Sequence, residues 1–291
     1  MRRLLLLTVA LAIPSGGVAQ VAEPLRPQTV EILSGGLRLK GFLWRPAGRG
    51  LFPAVVFHHG RSDTPRQHNL QLGQTLEQAA QILGPVFVRH GFVFLYPFRR
   101  GEGPSADQGQ FIGDLLQREE AAKGLEAGRQ LQLVLMTTDH LQDAHAALSF
   151  LKNLSYVDKR RVAVAGHSLG GQLTLLEAAH DRTVRAAVTF GAAAGSWESS
   201  PELRDRLIEA VRELTTPVML IQAANDYSLS PSAAMDGELS RLSKPHVRKI
   251  YPAFGDTPKH GHNFFYFDVA RWEREVFAFL EVNVPFSPPP P

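Results

Sequence analysis

One short run sets the frame for the rest of the 291-residue chain: Gly166-His167-Ser168-Leu169-Gly170-Gly171. The pattern G-x-S-x-G is weak by itself, since chance supplies about 0.1 matches in a chain of this length at ordinary glycine and serine frequencies. Its setting carries the weight. The apolar strand Val162-Ala163-Val164-Ala165 leads straight into it, and the apolar helical stretch Leu173 to Ala179 follows at once. A serine on a tight strand-to-helix turn is lifted above the edge of the sheet, with a helix N-terminus aimed at its hydroxyl. Small residues flank it because strand and helix approach closely there.

The remaining chain alternates in the way such a turn requires. Residues 29–33 and 37–45 alternate apolar and polar around Ser34-Gly35-Gly36 and predict a β-hairpin. Continuous apolar runs at 53–57 and 91–96 suit strands covered on both faces, and 161–165, 184–190, 217–223 and 247–251 read as further strands. Between them, helical spacing appears at 70–90 (interrupted at Gly84-Pro85), 139–151, 169–179 and 272–282. Strand alternating with helix means parallel strands and crossover helices. The expected fold is therefore α/β, with a mostly parallel central sheet, an N-terminal antiparallel hairpin and helices on both faces. A domain over 29–283 carries two longer segments, 104–136 and 195–214, expected as cap-like walls over the C-terminal edge of the sheet, where ligands bind in open α/β folds. Residues 20–28 read as a loose lead-in and 284–291 as a proline-rich tail.

A serine hydroxyl needs a base to take its proton, and the base needs an acid to orient it. Asp226 follows the strand at 217–223, so its carboxylate faces the same sheet edge as Ser168; Asp236 and Asp256 are weaker candidates. The base comes from Lys259-His260-Gly261-His262-Asn263-Phe264, placed on a loop, with His262 preferred over His260 for its position relative to Gly261 and the following aromatic. Two backbone N–H groups must hold a developing oxyanion. Leu169 supplies one at the helix start, and Arg61 is the choice for the other, after His58-His59-Gly60. His59, Arg99, Trp197 and Phe264 are candidates for the substrate pocket, and the arginines of the Arg61 and Arg99-Arg100 turns for an acidic substrate.

Other chemistries lack the residues they need. With no cysteine there is no disulfide, thiolate metal site or cysteine nucleophile. The paired histidines His58-His59 and His260/His262 have no further ligands at zinc spacing, and no metal is expected. No nucleotide cofactor is expected, because glycine-rich phosphate motifs are absent. Met1-Arg2-Arg3, an apolar run over 4–13 and small residues up to Ala19 read as a secretory signal peptide over 1–19, with Ala22 as a second cleavage point. This places the protein in the periplasm or outside the cell, with no stable membrane insertion after cleavage. Loss of Arg2 and Arg3 lowers the formal charge from +3 to +1, leaving little attraction for nucleic acid. Nothing in the sequence specifies an oligomeric state.

The hairpin LRLKGFLWRP, the segments FPAVVFHHG, FRRGEGPS, YVDKRRVAVAGHSLGG and TPVMLIQAANDYSLSP, and the closing HGHNFF together resemble the dienelactone hydrolase-like branch of the α/β-hydrolase superfamily, and also the catalytic domains of prolyl-oligopeptidase-type enzymes. The likeness runs over about residues 29–282. It implies the α/β-hydrolase fold, a Ser168–Asp226–His262 triad and hydrolysis of a small-molecule ester or lactone, with peptide cleavage or acyl transfer as alternatives on the same groups. In that family the base precedes a small residue and an aromatic, which matches His262-Asn263-Phe264. Dienelactone hydrolase itself uses a cysteine nucleophile where this chain has Ser168, so its substrate is not implied. A catalytically dead binding protein of the same fold would be expected to lack one of the three residue types, and all three are present in order.

Overall fold

The computed structural model describes residues 26–69 and 71–285. The signal-peptide reading of 1–19 and most of the loose lead-in and proline tail lie outside those residues. Eight strands form one sheet: β1 (Gln28–Ser34), β2 (Leu37–Trp44), β3 (Phe52–His58), β4 (Val93–Pro97), β5 (Val157–His167), β6 (Ala186–Phe190), β7 (Val218–Ala223) and β8 (His246–Tyr251). Their order is β1-β2-β4-β3-β5-β6-β7-β8. β1 and β2 pair antiparallel, as does β2 with β4, and every pairing from β4 to β8 is parallel.

The two-residue period of a strand explains the two cores. On β3, Ala54 and Val56 face one side with α4 (Leu141–Lys152), α5 (Leu169–His180), α6 (Pro201–Glu213) and α7 (Ser230–Arg241). Val55 and Phe57 face the other, with α1 (Leu76–Arg89), α8 (Pro258–Phe267) and α9 (Val269–Asn283). The central strands are buried on both faces, which is why they read as unbroken apolar runs. Among the described residues no helix is long and apolar enough to cross a membrane.

Two expectations change, and a third segment is filled in. The helix expected over 70–90 starts at Leu76, where the Thr75 hydroxyl accepts from the N–H of Gln78 and the Gln78 side chain returns the bond. It also runs straight through Gly84-Pro85. The bare Cα of Gly84 abuts the Trp44 indole, and Pro85 removes only one helical hydrogen bond, that to Gln81, an exposed residue. The segment 104–136 forms α2 (Ile112–Lys123) and α3 (Leu125–Leu135), and α3 joins α4 through one π-helical turn, Met136–His140. The loop expected around His260 and His262 is α8, capped by the Thr257 hydroxyl accepting from His260 N–H over 3.1 Å, with Pro258 in its first turn.

Candidate active site

β5 ends in His167 beside the ends of β3 and β6, with His58 opposite Gly166 and His167 opposite Phe190. The next residue, Ser168, holds φ 54° and ψ −116°, a region that side chains avoid, fixed by a 2.9 Å bond from its N–H to the Phe190 carbonyl. The flanking glycines follow from contact. A Cβ on Gly166 would collide with the Gly170 carbonyl, and one on Gly170 with the His58 carbonyl. Ser168 heads α5, so the Leu169 N–H lies in the first turn, where no intrahelical acceptor exists.

Asp226 lies just beyond the end of β7, and His262 inside α8. The imidazole Nδ1 is 2.7 Å from Asp226 Oδ1, and both residues are buried. A carboxylate only accepts, so Nδ1 carries the proton and Nε2 keeps its lone pair. Asp226 also accepts from the Tyr227 N–H at 2.7 Å and from Gln222 Nε2 at 2.9 Å. Gly261 makes the meeting possible: a Cβ there would lie 2.6 Å from the Asn225 carbonyl oxygen, so only a bare Cα lets α8 rest on the Asp226 turn. The other candidates lie elsewhere. Asp256 is exposed and 3.9 Å from His260, and Asp236 pairs with His246 at 3.2 Å.

Ser168 and His262 line a cavity of about 290 Å³ together with Leu169 and Arg61. Its other walls include His68, Asn69, His167, Gln172, Ser196, Tyr227 and Asn263, with Lys259 and Asp63 joined by a 3.1 Å ion pair at the edge. Gln132 and Ser196 bring the segments 104–136 and 195–214 to this wall and to an adjoining chamber of about 180 Å³.

The expected pocket residues His59, Arg99, Trp197 and Phe264 are not among these walls. Trp197 and Phe264 are buried in the two cores, where their rings are held by packing. Arg99 and His59 lie behind the 59–62 turn instead. The Arg99 guanidinium donates to the carbonyls of His59 and Gly60, and pairs with Glu102 at 2.8 Å. Glu102 in turn accepts the Ser62 N–H at 3.0 Å. Arg99 meets both ring nitrogens of His59, its backbone N–H reaching Nε2 at 3.3 Å and its Nη2 reaching Nδ1 at 2.9 Å, while Nδ1 also lies 2.8 Å from the Gly60 carbonyl. Burial, reinforced by the Arg99 charge, holds that imidazole well below its usual pKa, hence neutral. Arg100 is likewise no substrate ligand: Asp139 and Asp143 take it at 2.9 and 2.7 Å.

His58 is also structural. Its Nε2 is 2.7 Å from Glu177 on α5, tying the end of β3 beneath the serine turn. Burial pushes the Glu177 carboxyl up, yet its His58 and His145 neighbours more than offset this and hold it low. Among the described residues no group of three His, Cys, Asp or Glu side chains is placed to share a metal ion. Sequence reasoning missed His68, Gln172, Ser196 and Tyr227 as wall residues. They lie on connecting segments or in an apolar-looking helix, and no local pattern announces them.

The dienelactone hydrolase family model matches residues 87–268. Among curated proteins, the chain is 22% identical over 262 residues to the quorum-quenching protein AidA of Acinetobacter baumannii, covering 86% of this chain and 73% of that one. An acylaminoacyl peptidase of Pyrococcus horikoshii has a similar structure, with a TM-score of 0.61 and 18% identity over 92% of this chain and 43% of the peptidase. A dienelactone hydrolase of Anabaena variabilis gives a TM-score of 0.57 and 19% identity, covering 89% of this chain and 99% of that chain. The chain thus spans less than half the length of the peptidase.

Proposed function

The chain belongs to the dienelactone hydrolase family and is an enzyme of hydrolase type; from that premise we propose that it is a serine hydrolase cleaving small carboxylic esters or lactones through an acyl-enzyme on Ser168. The observation that carries the reading is the strained Ser168 sharing a cavity with His262, whose far nitrogen is fixed by Asp226 at 2.7 Å.

In the proposed reaction His262 Nε2 takes the hydroxyl proton as Ser168 Oγ attacks the carbonyl carbon. The oxyanion forms facing the N–H groups of Leu169 and Arg61. His262 then gives its proton to the leaving alcohol, the acyl group stays on Ser168, and water, deprotonated by His262, releases the acid. Asp226 stabilises the imidazolium throughout. A cavity of about 290 Å³ matches a small molecule better than a polypeptide, which favours an ester over a peptide substrate. We further propose that the segments 104–136 and 195–214 serve as cap-like walls of the site and that the signal sequence at 1–19 directs export.

The test is turnover of a panel of short esters by the chain and by Ser168→Ala. Hydrolysis with a burst of alcohol ahead of acid, lost in the variant, is expected. Equal turnover by both would remove Ser168 from the mechanism.

A further inference from the structure

The chamber of about 180 Å³ beside the Ser168 cavity shares four wall residues with it, Gln132, Gln172, Gly195 and Ser196. Gln172 stands one helical turn beyond Ser168 on α5, its N–H donating to the Ser168 carbonyl at 3.1 Å. The other walls come from α2, α3, the π-helical turn and residues 199–203. Among the described residues, none from α8 or from the Asp226 turn takes part.

The chamber offers apolar surface at depth. Met136 and Leu203 are 1% and 4% exposed, and half-buried Leu133 packs against the same core. The polar groups around them are largely engaged within the protein. Ser199 Oγ donates to the Ser196 carbonyl at 3.2 Å, Ser200 Oγ accepts the Leu203 N–H at 3.4 Å, and Gln172 Nε2 donates to Ser196 Oγ at 3.3 Å. Arg129 pairs with Glu126 at 3.1 Å and has a side chain 38% exposed. Glu120 is also part-exposed, with its stem against Gly128, so both charged heads keep contact with water at the rim. Gln132 is part-exposed in the shared wall.

The side of the site on which the chamber lies decides which half of an ester it can hold. The leaving oxygen must lie where His262 Nε2 can hand it a proton, so the alcohol half stays on the side of α8. The acid half, bonded to Ser168, is free to pass Gln172 toward α3. We infer that this chamber is the acyl-chain site of the enzyme and takes a linear aliphatic chain. An apolar cavity of about 150 Å³ holds benzene, so the acid half is one of about six to eight carbons. The inference rests on the serine-hydrolase reading above and names its substrate class.

Two series of esters test it: 4-nitrophenyl acetate to octanoate for the acid half, and ethyl to octyl acetate for the alcohol half, each kept below its aggregation limit. Each methylene that enters the chamber should raise kcat/KM about fourfold, so octanoate should exceed acetate by about tenfold or more. Octyl acetate should gain less over ethyl acetate. Leu133→Trp and Ser199→Trp fill the chamber from a half-buried and an exposed position. At least one of them should lower the octanoate-to-acetate ratio about fivefold or more. Both esters are compared on one enzyme, so a general loss of folding or activity cancels from the ratio. An acid-half gain below about tenfold, a ratio that stays within about fivefold in both variants, or an equal or larger gain on the alcohol half overturns the inference. Labelling of Ser168 by a fluorophosphonate keeps the two readings apart. If Ser168 labels and no acyl preference appears, only this inference fails; if Ser168 does not label, the parent reading fails and takes this one with it.

Discussion

The guanidinium of Arg99 lies 2.8 Å from the carbonyl oxygen of Gly60, holding from behind the turn whose next residue lines the cavity beside Ser168. With two carbonyls drawn toward Arg99 and the Ser62 N–H drawn toward Glu102, the peptide plane between Gly60 and Arg61 is fixed. Arg99 and Glu102 are almost fully buried, so the pair is costly to break from one side, by roughly 3–5 kcal/mol. Arg99→Met should therefore lower stability by about that amount, and kcat by about 10²–10³, the usual effect of losing one oxyanion donor. Arg99→Lys keeps the charge without the fork and should recover stability more than kcat. Urea unfolding beside ester kinetics separates the two. Wild-type kcat in a folded Arg99→Met would sever the turn from catalysis.

Asp226→Asn removes the charge facing His262 and sets an amide N–H₂ among the donors His262 Nδ1, Tyr227 N–H and Gln222 Nε2, which disturbs the fixed proton on Nδ1. The fold should survive, because the amide fills the same volume, while kcat falls on the order of 10⁴-fold. Kinetics at saturating ester, with circular dichroism as the folding control, checks this. A loss below about tenfold would argue for another acid.

At Gly261 a single methyl group is the probe. A Cβ there would press on Asn225, so Gly261→Ala must lift α8 from the Asp226 turn. The expected result is a loss of kcat far larger than the loss of stability, about 10²-fold for a displacement near 1 Å. A crystal structure of the variant should show His262 Nδ1 further from Asp226 than 2.7 Å. Unchanged kcat would mean the contact is not limiting.

Stability should fall steeply in mild acid. Burial keeps His59, His68, His140 and His167 neutral in the folded chain, with His68 pushed down to about 3. Unfolded, each binds a proton below about pH 6.5. The unfolded state therefore holds more protons, and folding stability, complete above pH 6.5, is lost as pH falls toward 3, by about 1.4 kcal/mol per pH unit for each histidine. Urea midpoints at pH 7 and pH 5 measure the slope, and His68→Phe should flatten it by one proton's share. A midpoint independent of pH over that range would contradict the buried neutral rings.

The sheet was legible because its inner strands are apolar runs buried on both faces and β1 and β2 form an alternating hairpin, and the serine turn because glycines are forced where β5 meets α5. Asp226 and His262 were legible by position after their strands. The α8 helix was not: Pro258, Gly261 and two histidines read as a loop, and only the Thr257 cap and the contact with Asn225 make it helical. Nor could the sequence separate wall from support. Arg99 and His59 carry polar groups that suit a pocket, and their burial behind the 59–62 turn depends on Glu102, a partner chosen by tertiary packing. The walls His68 and Gln172 converge from segments about a hundred residues apart, which no local pattern reports.

The central claim is that Ser168 is an activated nucleophile, and active-site titration tests it most directly. A fluorophosphonate should add to the protein at one equivalent, mass mapping should place the adduct on Ser168, and labelling should vanish in Ser168→Ala and slow on the order of 10³-fold or more in His262→Ala. An adduct on another residue, or undiminished labelling of Ser168→Ala, would contradict the account.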